Sequence, residues 1–257
     1  MFSDSEQVIG LVGGMGPEAG LSLYHSILSH TKAKKDQDHL SVILMSFPNH
    51  IADRTAFLEG EELINPAYAI VDVIEKLETA GADIVGLACN TTHSPEIFDV
   101  IREELEKRDS QVRLFNMPEE TCRSIREHHG AVRRVGIMAT NGTWRTGLYE
   151  KLLSQYGYEA VVPDPGFQNR VIHRMIYDPG FGIKANPLAI RNEVTQLLEQ
   201  ALRYFEERDT DAIILGCTEL PLALKSKVAN GMLIIDSTAS LAASLVRAAT
   251  QPRKHLL

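Results

Sequence analysis

The chain has 257 residues, enough for one large core or two smaller ones, and its 44% hydrophobic and 23% charged content is that of a water-soluble globular protein. A formal net charge of −8 argues against nucleic acid or an anionic membrane surface as a partner, and makes any anionic ligand dependent on local cations. No apolar run approaches the ~20 residues of a spanning helix, and three cysteines do not make a disulfide framework. With an acidic start, Met1 to Glu6, in place of a signal peptide's basic one, the expectation is a cytoplasmic protein with reduced thiols.

Strand and helix patterns alternate along the chain. An apolar strand over Val8–Val12 leads to a helix from Pro17 to His30, with proline suited to its first turn. A second strand spans Ser41–Ser46, and Phe47 to Gly60 reads as a polar loop carrying Asp53 and Arg54. A helix from Asn65 to Ala80 ends at Gly81, as helices often do. The run Asp83 to Ala88 reads as a buried parallel strand, followed by a helix from Pro95 to about Arg108 and a strand at Val112–Phe115. From Arg134 the scheme starts again. A Gly/Pro-rich stretch from Pro163 to Asn186 holds a short helix near Val171–Tyr177, and a long helix is expected from Pro187 to Glu207. The strand Asp211 to Leu215 precedes Cys217, and a last helix, about 238–250, is placed to pack back on the first half.

The second half repeats the first. Gly10 and Gly136 occupy matching apolar strands 126 residues apart, Cys89 and Cys217 are 128 apart, and Asn116 and Asp236 are 120 apart. One nearly constant offset implies two related α/β lobes, 1–117 and 118–237, each built on a parallel sheet. Each cysteine follows a strand's carboxyl end, where open α/β sheets place their ligands. A free cysteine is ordinarily a small apolar core residue, and Cys122, inside a helical pattern, fits that description. Cys89 and Cys217 in matched settings suggest instead one site with an acid on one side and a base on the other.

Other motifs are weaker. The glycines of Gly10 to Gly20 imitate a dinucleotide fingerprint, but the second strand ends Met45-Ser46-Phe47-Pro48, without the carboxylate that holds a ribose. They suit either close approach of backbone N–H groups to a small carboxylate or a tight strand–helix turn that holds no ligand. Cys89, His93 and Cys217 lack the second ligand pair of a zinc site, so no metal is expected; His93 reads as packing or as a partner for the Cys89 strand end. A Cys–His hydrolase would leave Cys217 unexplained.

Taken together, Gly13-Gly14-Met15-Gly16-Pro17, Asp53-Arg54, Cys89-Asn90-Thr91-Thr92-His93, Ala139-Thr140-x-Gly142-Thr143 and Gly216-Cys217-Thr218-Glu219 resemble the aspartate/glutamate racemase family, and more closely its aspartate racemase branch. The resemblance spans nearly the whole chain. It implies a cofactor-independent racemase of two pseudo-symmetric lobes with the active site in the cleft between them, acting on a small dicarboxylic amino acid and forming homodimers. By the same resemblance the catalytic residues are Cys89 and Cys217. The substrate-holding positions are Met15, Gly16, Arg54, Asn90, Thr91, Thr92, Thr140, Thr143, Lys184, Thr218 and Glu219. Related cleft enzymes of the hydantoin racemase, maleate isomerase and arylmalonate decarboxylase types, and a non-catalytic carboxylate-binding protein, are the alternatives.

Overall fold

The computed structural model describes residues 7–251, so the acidic start at Met1 to Glu6 lies outside the described residues. The first lobe runs β1 (Ile9–Gly13), α1 (Pro17–His30), β2 (Val42–Ser46), α2 (Arg54–Glu59), α3 (Pro66–Thr79), β3 (Ile84–Leu87), α4 (Pro95–Lys107) and β4 (Arg113–Phe115). After α5 (Met117–His128) the second lobe follows with β5 (Arg134–Ala139), α6 (Asn141–Arg145), α7 (Leu148–Gln155) and β6 (Glu159–Val161). Then α8 (Pro165–Phe167) runs through a π-helical turn, Gln168–His173, into α9 (Arg174–Tyr177). The chain closes with α10 (Asn192–Glu206), β7 (Ala212–Gly216), α11 (Leu220–Ala223), β8 (Val228–Ala229), β9 (Met232–Asp236) and α12 (Ser237–Ala249).

Both sheets have the same topology. The first is ordered β2-β1-β3-β4 and wholly parallel; the second is β6-β5-β7-β9, also parallel, with the short β8 added antiparallel to β9. Side chains alternate across each sheet, as strand geometry requires. Ile9 and Leu11 of β1 join Leu23 of α1 and Leu241 and Leu245 of α12 in one core, while Val12 joins Ile70 and Ile74 of α3 on the other face. In the second lobe Val135 and Ile137 meet Cys122 and Ile125 of α5, while Met138 meets Phe205 of α10. A side chain at Gly136 would place its Cβ 2.6 Å from the Phe205 ring, so glycine there lets α10 seat on the sheet.

The linking helices are exchanged between lobes. Helix α5 follows β4 of the first lobe but packs into the core of the second, and α12 follows β9 of the second lobe but packs into the first. Their caps are the repeated residues Asn116 and Asp236. The Asn116 side chain accepts from Glu119 N at 3.0 Å, and Asp236 accepts from Thr238 N at 2.8 Å. An offset visible in the sequence thus marks the two crossing points.

Two local expectations are corrected. The stretch expected as a polar loop contains α2, because Asp53 caps it through Thr55 N (2.8 Å) and Ala56 N (2.9 Å) and Gly60, at φ +80°, ends it. Six residues are too few to display a helical period. The long helix begins at Asn192 instead of Pro187: Arg191 is extended, and Leu188 is 88% exposed, so the segment has no apolar face to dock.

Candidate active site

Strands β3 and β7 occupy equivalent positions in their sheets, and each delivers a cysteine just past its carboxyl end. Both cysteines line a single cavity between the lobes with Met15, Arg54, Asn90, Thr91, Thr140, Tyr177, Lys184, Gly216, Thr218 and Glu219. The cavity holds about 10 Å³, the room of one water and too little for a molecule the size of an amino acid. A far larger open groove, about 1450 Å³, runs along α4, β4 and α5, and neither Cys89 nor Cys217 lines it.

The surroundings of the two thiols differ. The Cys217 thiol donates to Glu219 Oε2 at 3.0 Å, and Glu219 Oε1 pairs with Lys184 Nζ at 2.6 Å while accepting from Gly16 N at 3.3 Å. Burial and the adjacent Glu219 carboxylate push the Cys217 thiol well above its ordinary value. Burial alone would raise Glu219, but the Lys184 ammonium and the donors around it hold it below the usual carboxylate range. Lys184 is likewise raised: burial disfavours its charge, and Glu219 more than offsets that. The resting state therefore has a neutral Cys217 thiol on an ionised Lys184–Glu219 pair.

On the other side, Arg54 faces Cys89. The start of α2 buries the guanidinium, whose Nη1 donates to Ala52 O and Nη2 to Met15 O, both at 3.0 Å. Burial opposes its charge, yet Cys89 and Asp53 beside it leave its pKa raised. Its buried Nε has no hydrogen-bond partner among the described residues, which leaves a donor for an anionic oxygen.

The remaining sequence-derived positions separate into two layers. Asn90 lines the cavity with its amide fixed: Tyr149 O–H donates to Oδ1 at 2.6 Å, and Nδ2 donates to Ser237 Oγ at 3.0 Å. Thr91 Oγ1 lies 3.0 Å from both Thr140 Oγ1 and Thr143 Oγ1, joining the lobes. Thr143 and Thr92 do not line the cavity; Thr92 donates to Met15 Sδ at 3.4 Å and so backs a lining residue. Gly16 reaches the site only through its bond to Glu219. No group of His, Cys, Asp and Glu able to hold a metal occurs among the described residues.

Sequence reasoning missed Tyr177. It ends α9, its O–H donates to Asp53 Oδ2 at 3.1 Å across the cleft, and its ring lies 5.4 Å from Lys184 Nζ. Nothing in the local sequence distinguishes it from the other aromatics of that Gly/Pro-rich stretch; a strand or helix period cannot report a contact made across 124 residues. Among the described residues no helix is long and apolar enough to cross a membrane.

A sequence model of the Asp/Glu/hydantoin racemase family matches residues 12–245. The broad-specificity amino-acid racemase RacX of Bacillus subtilis is 30% identical over 93% of this chain and 96% of its own. A glutamate racemase of Pseudomonas aeruginosa is 30% identical over 65% of this chain and 58% of its own. The aspartate racemase of Picrophilus torridus superposes with a TM-score of 0.78 at 28% identity, covering 96% of this chain and 95% of that one.

Proposed function

This chain belongs to the Asp/Glu/hydantoin racemase family, as an isomerase of the amino-acid racemase type, and we propose that it interconverts L- and D-aspartate with Cys89 and Cys217 as facing acid and base. The observation that carries the reading is the pair of cysteines on one buried cavity, each beside a differently charged partner. One sulfur takes the Cα proton, leaving the electron pair delocalised into the α-carboxylate as an enediolate. The other sulfur delivers its proton to the opposite face, so the two exchange protonation states in each turnover. Arg54 supplies positive charge beside Cys89. Cys217 starts as the thiol and acid, and Glu219 holds its proton in line.

The hard step is the carbanion, which no electron-sink cofactor need relieve if fixed donors receive the charge. Thr91, Thr140 and Thr218 line the cavity with hydroxyl groups, and these are the donors assigned to the α-carboxylate. Arg54 and Lys184 supply the cations that an acidic chain needs to hold a dicarboxylate. This reading carries with it a cytoplasmic homodimer, for which sedimentation velocity is the test. A broader substrate range is the second reading, favoured by the full-length similarity to a racemase named for broad specificity.

Proton NMR for loss of the α-proton, joined to chiral chromatography for the enantiomer formed, separates these readings when the reduced protein is incubated in D₂O with L-aspartate, D-aspartate, L-glutamate and L-alanine. Loss of the α-proton with growth of the opposite enantiomer for aspartate alone supports the first; interconversion of alanine as well supports the second. Absence of exchange with every one of them overturns both.

A further inference from the structure

We infer that His93 is a positioning residue that fixes Cys89, and with it one face of the reaction, by tying the Cys89 carbonyl to the start of α5. This rests on the two-thiol reading above. The imidazole is buried and its ring lies 5.0 Å from that of Phe98. Nδ1 lies 2.9 Å from Cys89 O, an acceptor, so Nδ1 carries the proton; Nε2 then accepts from Met117 N at 3.3 Å. Both nitrogens are thereby engaged with backbone, and neither is free to take a proton from the Cys89 sulfur. Burial holds the ring neutral, with a pKa lowered to about 4.

The tie matters because Cys89 lies beyond the sheet. Its N–H bonds back to Leu87 O at 2.8 Å, a local turn instead of a ladder bond to a neighbouring strand. Asn90 and Thr91 tie the following residues to the second lobe through their side chains, and the carbonyl bond to His93 ties Cys89 itself, through Met117 N, to α5. That element, α5, is the helix that crosses into the lobe bearing Cys217, so the imidazole also sets one thiol against the other.

The second lobe has no counterpart. The position matching His93 there is Pro221, and Cys217 O accepts from Leu220 N at 3.1 Å within its own turn. Loss of the imidazole should therefore disable one side of the reaction and spare the other.

The test follows α-deuterium in D₂O from each enantiomer separately, comparing wild type with His93→Phe, which keeps a ring against Phe98 but has no polar atom, and His93→Asn, which keeps a donor near Nδ1. With Cys89 misplaced, turnover falls on the order of 10²-fold. The enantiomer whose proton faces Cys217 is still deprotonated but is reprotonated slowly from the Cys89 side. The Cys217 thiol exchanges its abstracted proton for solvent deuterium while reprotonation from the Cys89 side is slow, so recovered substrate gains deuterium faster than product appears, and the other enantiomer shows no such excess. His93→Asn restores most of the turnover and shrinks the excess. If His93→Phe does not fold, His93→Asn carries the test with a smaller excess on the same side. Equal exchange-to-inversion ratios from both enantiomers in an active wild type and the folded variant overturn the inference alone. A wild type that interconverts no enantiomers overturns the racemase reading and the inference with it.

Discussion

Lys184 Nζ and Glu219 Oε1 lie 2.6 Å apart on the lining of the interlobe cavity, and the second oxygen of the same carboxylate receives the Cys217 thiol. The pair thus connects the long segment after α9 to the turn after β7, and connects a fixed charge to a reacting sulfur.

Glu219→Gln keeps the side chain's shape and removes its charge, leaving Lys184 buried without an anion. Loss of one partner of such a pair costs about 3–5 kcal/mol. Denaturant unfolding at neutral pH should show it, and kcat should fall about 10²-fold in both directions. Glu219, held low, contributes stability that is present above its unfolded value near 4.5 and lost as pH falls through its folded value. Lys184, held high, contributes stability present below 10.5 and lost as pH rises beyond it. An unchanged unfolding free energy for Glu219→Gln at pH 7 would contradict the pair's role.

Cys89→Ser and Cys217→Ser should each reduce racemisation by at least about 10³-fold, since a hydroxyl is a far weaker acid than a thiol at this task. Both sites are buried and the substitutions nearly isosteric, so folding should be little affected. The same change at Cys122, which sits in the second-lobe core with its thiol pushed up to about 12 by burial, should leave kcat within about twofold. The chiral assay run on all three variants distinguishes the roles directly.

His93 should also give the protein a recognisable acid limb. The unfolded imidazole has a value near 6.5 and the folded one about 4, so the folded state favours the neutral ring. That stability is present above pH 6.5 and is lost as pH falls towards 4, a change of about 3 kcal/mol. His93→Asn should flatten the slope between those limits in urea titrations at stepped pH.

Gly142 marks how tightly the lobes close. A Cβ there would stand 2.8 Å from Thr91 Cγ2 and 3.1 Å from Thr55 Cα, both in the opposite lobe. Gly142→Ala should hold the cleft ajar, raising KM several-fold with a smaller effect on kcat, and should speed amide exchange in α2 and α6. Tyr177→Phe removes the cross-cleft bond to Asp53 and should act in the same direction with smaller size. A lowered KM in either variant would show that closure limits substrate entry instead of securing the bound state.

Much of the architecture was legible because it follows from short-range rules. Apolar runs ending at Cys89 and Cys217, the recurrent offsets, and proline and glycine at helix ends express strand burial and backbone geometry that each segment carries locally. Helix α2 escaped because its determinants are a cap and a terminal glycine around only six residues. The early start assigned to α10 failed because a proline permits a helix without supplying an apolar face.

By itself the sequence determined two repeated α/β lobes and a pair of thiols at matched strand ends, since periodicity and duplication are properties of the chain's order. Tertiary structure alone decided that Thr92, Thr143 and Gly16 stand behind the cavity instead of on it, and that Tyr177 reaches across the cleft to Asp53. It also decided the asymmetry of the two sulfurs, one beside Arg54 and one on the Lys184–Glu219 pair. Those relations depend on distances between residues far apart in the chain, and electrostatic energy follows separation in space and local burial, neither of which the order of residues specifies.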